Sequence, residues 1–264
     1  MALVEPLVRL LARQKERYRF SGRLLTLGIL DVLCEGRDIR DIPIFSHLPQ
    51  STVTYDQILK ALGFDAIDTL EYYGCPEATI EHDLNLPISQ KWSYKYDFIL
   101  DAGHLEHVFS TGDFMRTVAT VLKPGGVALH FNPTQGYANH GFFCLQPTFY
   151  YSFYRANGFT NMDCYFLEFN SNYRGPTRVI PIPNFNNLDY KTQNCAYMFF
   201  KAEKGHLSDI KIPNIEFYHR IWEEKQKRNG AKLPEALYLE IVGRVPDNSM
   251  ARLLKNSFDI GIDD

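Results

Sequence analysis

Short apolar runs alternate with amphipathic segments from residue 23 to residue 131. That alternation restricts the fold more than any other feature. A strand apolar on both sides has to be covered on both sides, and helices between strands are what cover it. Residues 23–30 (RLLTLGIL), 64–70, 78–83, 96–101 and 127–131 read as such strands. Leu3, Leu7, Leu10 and Leu11 at helical spacing predict a first helix to about residue 20, stopped by Ser21-Gly22. Tyr55, Ile58, Leu59 and Leu62 predict a helix over residues 54–62, closed by Gly63. Phe114, Val118, Val121 and Leu122 predict another over 111–122, broken by Lys123-Pro124-Gly125-Gly126. Residues 34–50 read as loop. Strands alternating with helices in this way predict an α/β fold with a mostly parallel sheet.

The character changes after Asn132. Pro147 at a first-turn position and Asn157-Gly158 at the end predict a helix over 146–158. Its rings Phe149, Tyr150, Tyr151, Phe153 and Tyr154 are assigned to the sheet face. Residues 159–170 and 194–202 read as two further strands joined by a long loop rich in Pro and Asn. Residues 214–264 read as mostly helical. The chain therefore divides into a main domain over 1–205 and a helical extension over 206–264 packed on it.

With 264 residues the chain can bury a core without staples. Lys+Arg 28 against Asp+Glu 31 leaves a net charge of −3, so a nucleic acid is not an expected partner. The basic run Arg220, Lys225, Lys227 and Arg228 is mixed with Glu223 and Glu224 and reads as a solvated helix face. The five cysteines are widely spaced with no CxxC, which fits free thiols in a reducing cytosol. No stretch approaches ~18 apolar residues, so no membrane association is expected. Arg9, Arg13, Lys15, Arg17 and Arg19 follow the first apolar residues, the reverse of a secretory signal. A cytoplasmic location is the expectation.

Two segments resemble the class I S-adenosylmethionine-dependent methyltransferases, of the type 11-like kind. One is Tyr96-Asp-Phe-Ile-Leu-Asp-Ala-Gly-His-Leu-Glu-His-Val-Phe, and the other is Val121-Leu-Lys-Pro-Gly-Gly-Val-Ala-Leu-His-Phe-Asn-Pro. In that family the first looks like the fourth strand with its loop, and Leu-Lys-Pro-Gly-Gly is the turn before the fifth. Asp83 followed by Leu84-Asn85-Leu86-Pro87 is similar to the acidic-plus-apolar contact with adenine after the third strand. The resemblance covers about residues 24–201. It implies a Rossmann-like, mostly parallel seven-stranded sheet, S-adenosylmethionine as cofactor, and a small-molecule or glycan substrate. The glycine loop departs from the family pattern, because Gly28 stands alone before Ile29, Leu30, Asp31 and Val32.

Ligands in open α/β sheets sit at the carboxyl ends of strands. The cofactor-binding residues expected there are Gly28, Asp31 (to the cofactor's ammonium), Asp68, Asp83, Leu84, Asp101 and Gly103. Asp68 would accept the ribose hydroxyls at the end of the second strand, with Asp65 and Glu71 as substitutes. His104 and His107 follow the fourth strand, and His suits proton transfer near neutral pH. Their spacing also invites a metal, but further ligands would be needed, and no metal is expected. Residues 132–143 combine Gly, Asn, His and aromatics, a composition that suits a substrate wall. His140 is the first choice for a general base, with His104 and His107 beside it. Glu106, Asn132, Tyr137 and Asn139 are the expected substrate contacts. The function expected is methylation of a hydroxyl on a small molecule or sugar precursor. Two alternatives stand beside it: a methyltransferase-like binding or scaffold protein that has lost catalysis, and a metal-using α/β enzyme built on His104, His107 and His140. A homodimer is compatible with each.

Overall fold

The computed structural model describes residues 1–169, 177–182, 192, 194–206, 209–234, 236–237 and 257–260. In chain order the elements are β1 (Ala2–Leu3), α1 (Glu5–Tyr18), β2 (Arg23–Leu27), β3 (Asp31–Val32), α2 (Tyr55–Leu62), β4 (Ala66–Glu71) and β5 (Ile80–Glu81). They continue with β6 (Tyr96–Ala102), α3 (Thr111–Val121), β7 (Leu122–Gln135), α4 (Pro147–Ala156), β8 (Thr160–Phe169), β9 (Thr177–Pro181), β10 (Cys195–Glu203), α5 (Glu216–Lys227) and β11 (Phe258–Ile260). Local chemistry sets several ends. Thr54 Oγ1 accepts from Gln57 N at 3.2 Å while Gln57 Oε1 accepts from Thr54 N at 3.0 Å, a reciprocal cap that starts α2. Gly63 ends it at φ +116, and a Cβ there would stand 2.7 Å from the Phe20 carbonyl. Only glycine meets both demands.

The main sheet has the order β11-β9-β8-β10-β7-β6-β2-β4-β5. The strands from β5 to β7 are mutually parallel. β10 then inserts antiparallel between β7 and β8, and β9 and β11 add antiparallel at the edge. The α/β expectation holds, but the seven-stranded, mostly parallel sheet is corrected to nine mixed strands. The two extra strands come from segments read otherwise. β9 lies in the stretch expected as one long loop. β11 lies in the extension expected as helical, where α5 is helical and Phe258–Ile260 pairs with Thr177–Val179. Residues 238–256 and 261–264 of that extension lie outside the described residues. The loop over 34–50 contains two short 3-10 turns, Gly36–Asp38 and Pro43–Phe45.

Alternation along each strand builds two cores. Leu24, Phe98, Leu100 and Phe199 pack with the leucines of α1 and with α2 on one face. Leu25, Ile99 and Phe200 pack with Phe114 and Val118 of α3 and Tyr150 and Tyr154 of α4 on the other. β2 lies at the point where the order reverses: β4 and β5 continue on one side of it, β6 and β7 on the other. Such a reversal opens a crevice at the carboxyl ends of the two central strands. Here Gly28 and Gly103 follow those two strands, and Met1 packs between them in the place where such a crevice would open.

Candidate active site

Gly28 follows β2 at φ +93, and its N–H donates to the Leu70 carbonyl at 2.7 Å. A Cβ on it would stand 1.8 Å from Met1 Sδ and 2.8 Å from His104 Nδ1. The methionyl thioether of Met1 thus lies in the crevice, 2.5 Å from His104 Nδ1. His104, expected as a catalytic group facing an open pocket, is half-buried behind it, and burial lowers its pKa. Gly103, at φ +85, closes the opposite side. Asp31 is exposed in β3, and its N–H donates to the Met1 carbonyl at 3.1 Å.

The acid at the end of the second parallel strand is Glu71, not Asp68. Asp68 lies inside β4 and is committed to Arg23 Nε at 2.5 Å and to Thr79 Oγ1 at 3.3 Å. The strand runs one residue past its expected end, which carries Glu71 to the rim. There Glu71 accepts from Ile29 N at 3.2 Å and Tyr72 N at 2.8 Å, so its carboxylate is fixed across the turn that holds Gly28. The exposed rings of Tyr72 and Tyr73 follow, edge to face at 4.8 Å. Asp83 lies two residues past β5 and accepts from Asn85 N at 2.8 Å and Asn85 Nδ2 at 2.9 Å, and these bonds lower its pKa. Leu84 is buried in the core on the α3 side.

At the ends of β6 and β7 the structure holds a buried polar network. Asp101 Oδ1 accepts from His104 N at 2.9 Å and Leu105 N at 3.3 Å, and Oδ2 meets His130 Nδ1 at 2.8 Å. His130 Nε2 reaches the Tyr154 hydroxyl at 2.5 Å. Asn132 Nδ2 donates to Asp101 Oδ2 at 3.1 Å and Glu106 Oε2 at 2.9 Å, while the Tyr150 hydroxyl donates to Asn132 Oδ1. Asn132, expected in a substrate wall, is instead a buried strand residue that joins two carboxylates. β7 continues through Gln135, so the loop begins later than its composition suggested. His130, Tyr150 and Tyr154 lie in runs that read as plain core, and nothing in their spacing marks them as one network.

Glu106 is fully buried, and burial with the Asp101 charge nearby pushes its carboxyl up to about 7. Its Oε1 has no hydrogen-bond partner among the described residues. It faces His140 Nε2 at 3.9 Å and His107 Nε2 at 4.0 Å. Burial and the facing His140 lower the His107 pKa. The loop that carries His140 is fastened from below: Phe142 N donates to the Glu106 carbonyl at 2.7 Å, and a Cβ on Gly141 would stand 2.7 Å from that same oxygen. Asn139, exposed at φ +64, turns the loop, and the Tyr137 ring lies 5.7 Å from the His140 ring. Exposed Phe109 and Phe142, edge to face at 5.5 Å, flank the cluster, with Phe143 beside them. The structure therefore brings Glu106, His107 and His140 together, and keeps His104 with Met1 and Gly28. Among the described residues no helix is long and apolar enough to cross a membrane.

Scanned against protein-family models and against curated proteins, the sequence finds no match. Solved structures do match. A SAM-dependent methyltransferase from Archaeoglobus fulgidus superposes with a TM-score of 0.43 at 12% identity, over 76% of this chain and 94% of that one. A Burkholderia thailandensis 1,6-didemethyltoxoflavin-N1-methyltransferase, with its substrate and S-adenosylhomocysteine bound, gives 0.42 at 13%, over 75% and 78%. At TM-scores below 0.5, the fold of this chain is identified by its own strand order.

Proposed function

We propose that this protein is an S-adenosylmethionine-dependent methyltransferase whose acceptor is a hydroxyl of a small molecule or sugar precursor. The observation that carries the reading is the crevice at the order reversal. It admits a methionyl thioether over Gly28 and has the Glu71 carboxylate fixed at its rim. The cofactor has the same methionyl chain with its sulfur as a sulfonium, and its demethylated form has the thioether itself, so both fit there once the Met1 side chain swings aside. When bound, it supplies a methyl group on a positively charged sulfur.

The residues around the crevice then divide the work. Gly28 lets the backbone approach the amino-acid end. Glu71 spends one lone pair of each oxygen on Ile29 and Tyr72 and keeps the rest for the ribose hydroxyls. Asp83 and the Tyr72–Tyr73 pair flank the adenine position. Asp101, held by four donors, gives the crevice floor a fixed shape. On the acceptor side, Phe109 and Phe142 offer apolar rings to the acceptor, and the Glu106–His107–His140 cluster would take the hydroxyl proton as the acceptor oxygen bonds to the methyl carbon, the sulfur–methyl bond breaking with its electron pair left on sulfur.

Calorimetry with S-adenosylmethionine and S-adenosylhomocysteine tests this. Both should bind, and Glu71→Ala should weaken them by about 1–3 kcal/mol through loss of charge-assisted hydrogen bonds. Asp68→Ala should leave affinity unchanged, since its carboxylate belongs to Arg23. No heat of binding for either compound would overturn the reading.

A further inference from the structure

The Glu106 carboxylate raises a question that methyl transfer alone does not answer. One oxygen is satisfied by Asn132, which is in turn held by Tyr150. The other, Oε1, is fully buried, unpartnered, and aimed between two imidazole nitrogens. A buried acceptor left unmade costs the desolvation of that atom, and such atoms are rare unless something fills the gap. The three facing atoms, Glu106 Oε1, His107 Nε2 and His140 Nε2, all lie within 4.8 Å of one another.

We propose that these three residues bind a divalent transition cation, zinc by preference. Two imidazoles and one carboxylate are the donor set zinc takes in catalytic sites, with remaining positions left open, whereas magnesium and calcium favour all-oxygen shells. Bonds of about 2.0–2.1 Å place tetrahedral ligands about 3.3 Å apart, so the cluster has to close by under ~1.5 Å at its widest pair. Both histidines are exposed and can make that rotation. The carboxylate cannot wander, because Asn132 orients it from behind, as the outer partners of metal ligands commonly do. Closure is also prepared by the backbone: the Phe142 N–H to Glu106 carbonyl bond ties the His140 loop to the segment that carries the other two ligands. Phe109 and Phe142, each two residues along the chain from one of the histidines, carry exposed rings in contact with each other. With the cation bound, the three side chains hold it and no longer take the proton themselves; a hydroxyl oxygen taken up at an open position would instead lose its proton to water more readily, since a bound cation lowers the pKa of an oxygen ligand. The cation site stands on its own geometry; only this last role rests on the methyl-transfer reading.

The test uses the full chain after chelation and removal of the chelator. Zinc chloride is titrated by calorimetry, and cobalt(II) by its visible absorption. Cysteines are blocked in both, so that thiols do not contribute. One equivalent of zinc should bind, cobalt should show the intense absorption of a tetrahedral site, and zinc should raise Tm. His107→Ala and His140→Ala, both at exposed positions, should each weaken zinc at least tenfold while keeping the wild-type circular dichroism and the wild-type Tm in chelator. Glu106→Gln should do the same with its Asn132 contact retained. Zinc binding unchanged in both histidine variants, or no stoichiometric binding in the wild type, would overturn the proposal. S-adenosylhomocysteine titrated into chelated protein separates the two readings, because its binding does not require the cation.

Discussion

At the scale of single residues, position 28 carries the clearest demand. Gly28 has φ +93, and any Cβ meets Met1 Sδ and His104 Nδ1 at once. Gly28→Ala should cost about 1–2 kcal/mol from backbone strain alone. It should also weaken S-adenosylhomocysteine binding at least tenfold, because the new methyl occupies the crevice that a thioether chain needs. Thermal unfolding and calorimetry on the same sample check both parts; full affinity in this variant would place the cofactor elsewhere. The neighbouring acid shows how far sequence alone reaches. Residues 64–71 read FDAIDTLE, with acids at 65, 68 and 71, and each can end a strand. What selects Glu71 is the pairing of β4 with β2 through Leu70, which is long-range and leaves no mark in the local pattern.

At the scale of elements, β6, β7 and α4 are joined by the Asp101–His130–Tyr154 chain, all of it buried. Asp101→Ala would strand His130 Nδ1 and the N–H groups that the carboxylate now accepts. Leaving buried donors without their acceptor costs about 1–3 kcal/mol for each group, which denaturant unfolding should register. Lys204 secures another junction. It is buried, and its Nζ donates to the carbonyls of Ala119, at 2.5 Å, and Leu122, at 2.7 Å, at the end of α3. Burial pushes its ammonium down to about 8. A folded-state pKa below the unfolded value adds stability that is full above the unfolded value and lost as pH falls through about 8. The unfolding free energy of the wild type should therefore rise between pH 8 and 10 relative to Lys204→Met; parallel pH profiles for the two proteins would contradict this. The central parallel strands β2, β6 and β7 were legible because each buries both faces, and Lys-Pro-Gly-Gly marked a turn. β7 starts before that turn at Leu122 and passes through it, and its extension through Gln135 was hidden because Asn132 and Thr134 look like loop residues. Asn132 is polar in a buried strand because two carboxylates and a tyrosine meet it there.

At the scale of the whole molecule, the sheet separates into a half that forms the site and a half that supports it. β5 to β7 carry Gly28, Glu71, Asp101 and Asn132, while β8 to β11 carry none of the proposed cofactor contacts. The far edge is closed by β11, which pairs with β9; beside that pairing Arg178 Nε donates to Ser257 Oγ at 3.2 Å across a sequence separation of 79. No local pattern announces a pairing of that span. Arg13 of α1 lies over the Phe258 ring, 4.1 Å from its centroid, and so clasps the edge strand to the first helix. β11 is five strands from β6, about 24 Å at a spacing of ~4.8 Å. Phe258→Ala removes half-buried ring packing and the cation contact, which should cost about 2 kcal/mol and lower Tm by about 4–8 °C. Substitutions this far apart with no shared partners act independently. Calorimetry below the transition should therefore give S-adenosylhomocysteine the same affinity in Phe258→Ala as in the wild type. An affinity that fell along with Tm would show that the supporting half sets the shape of the crevice after all.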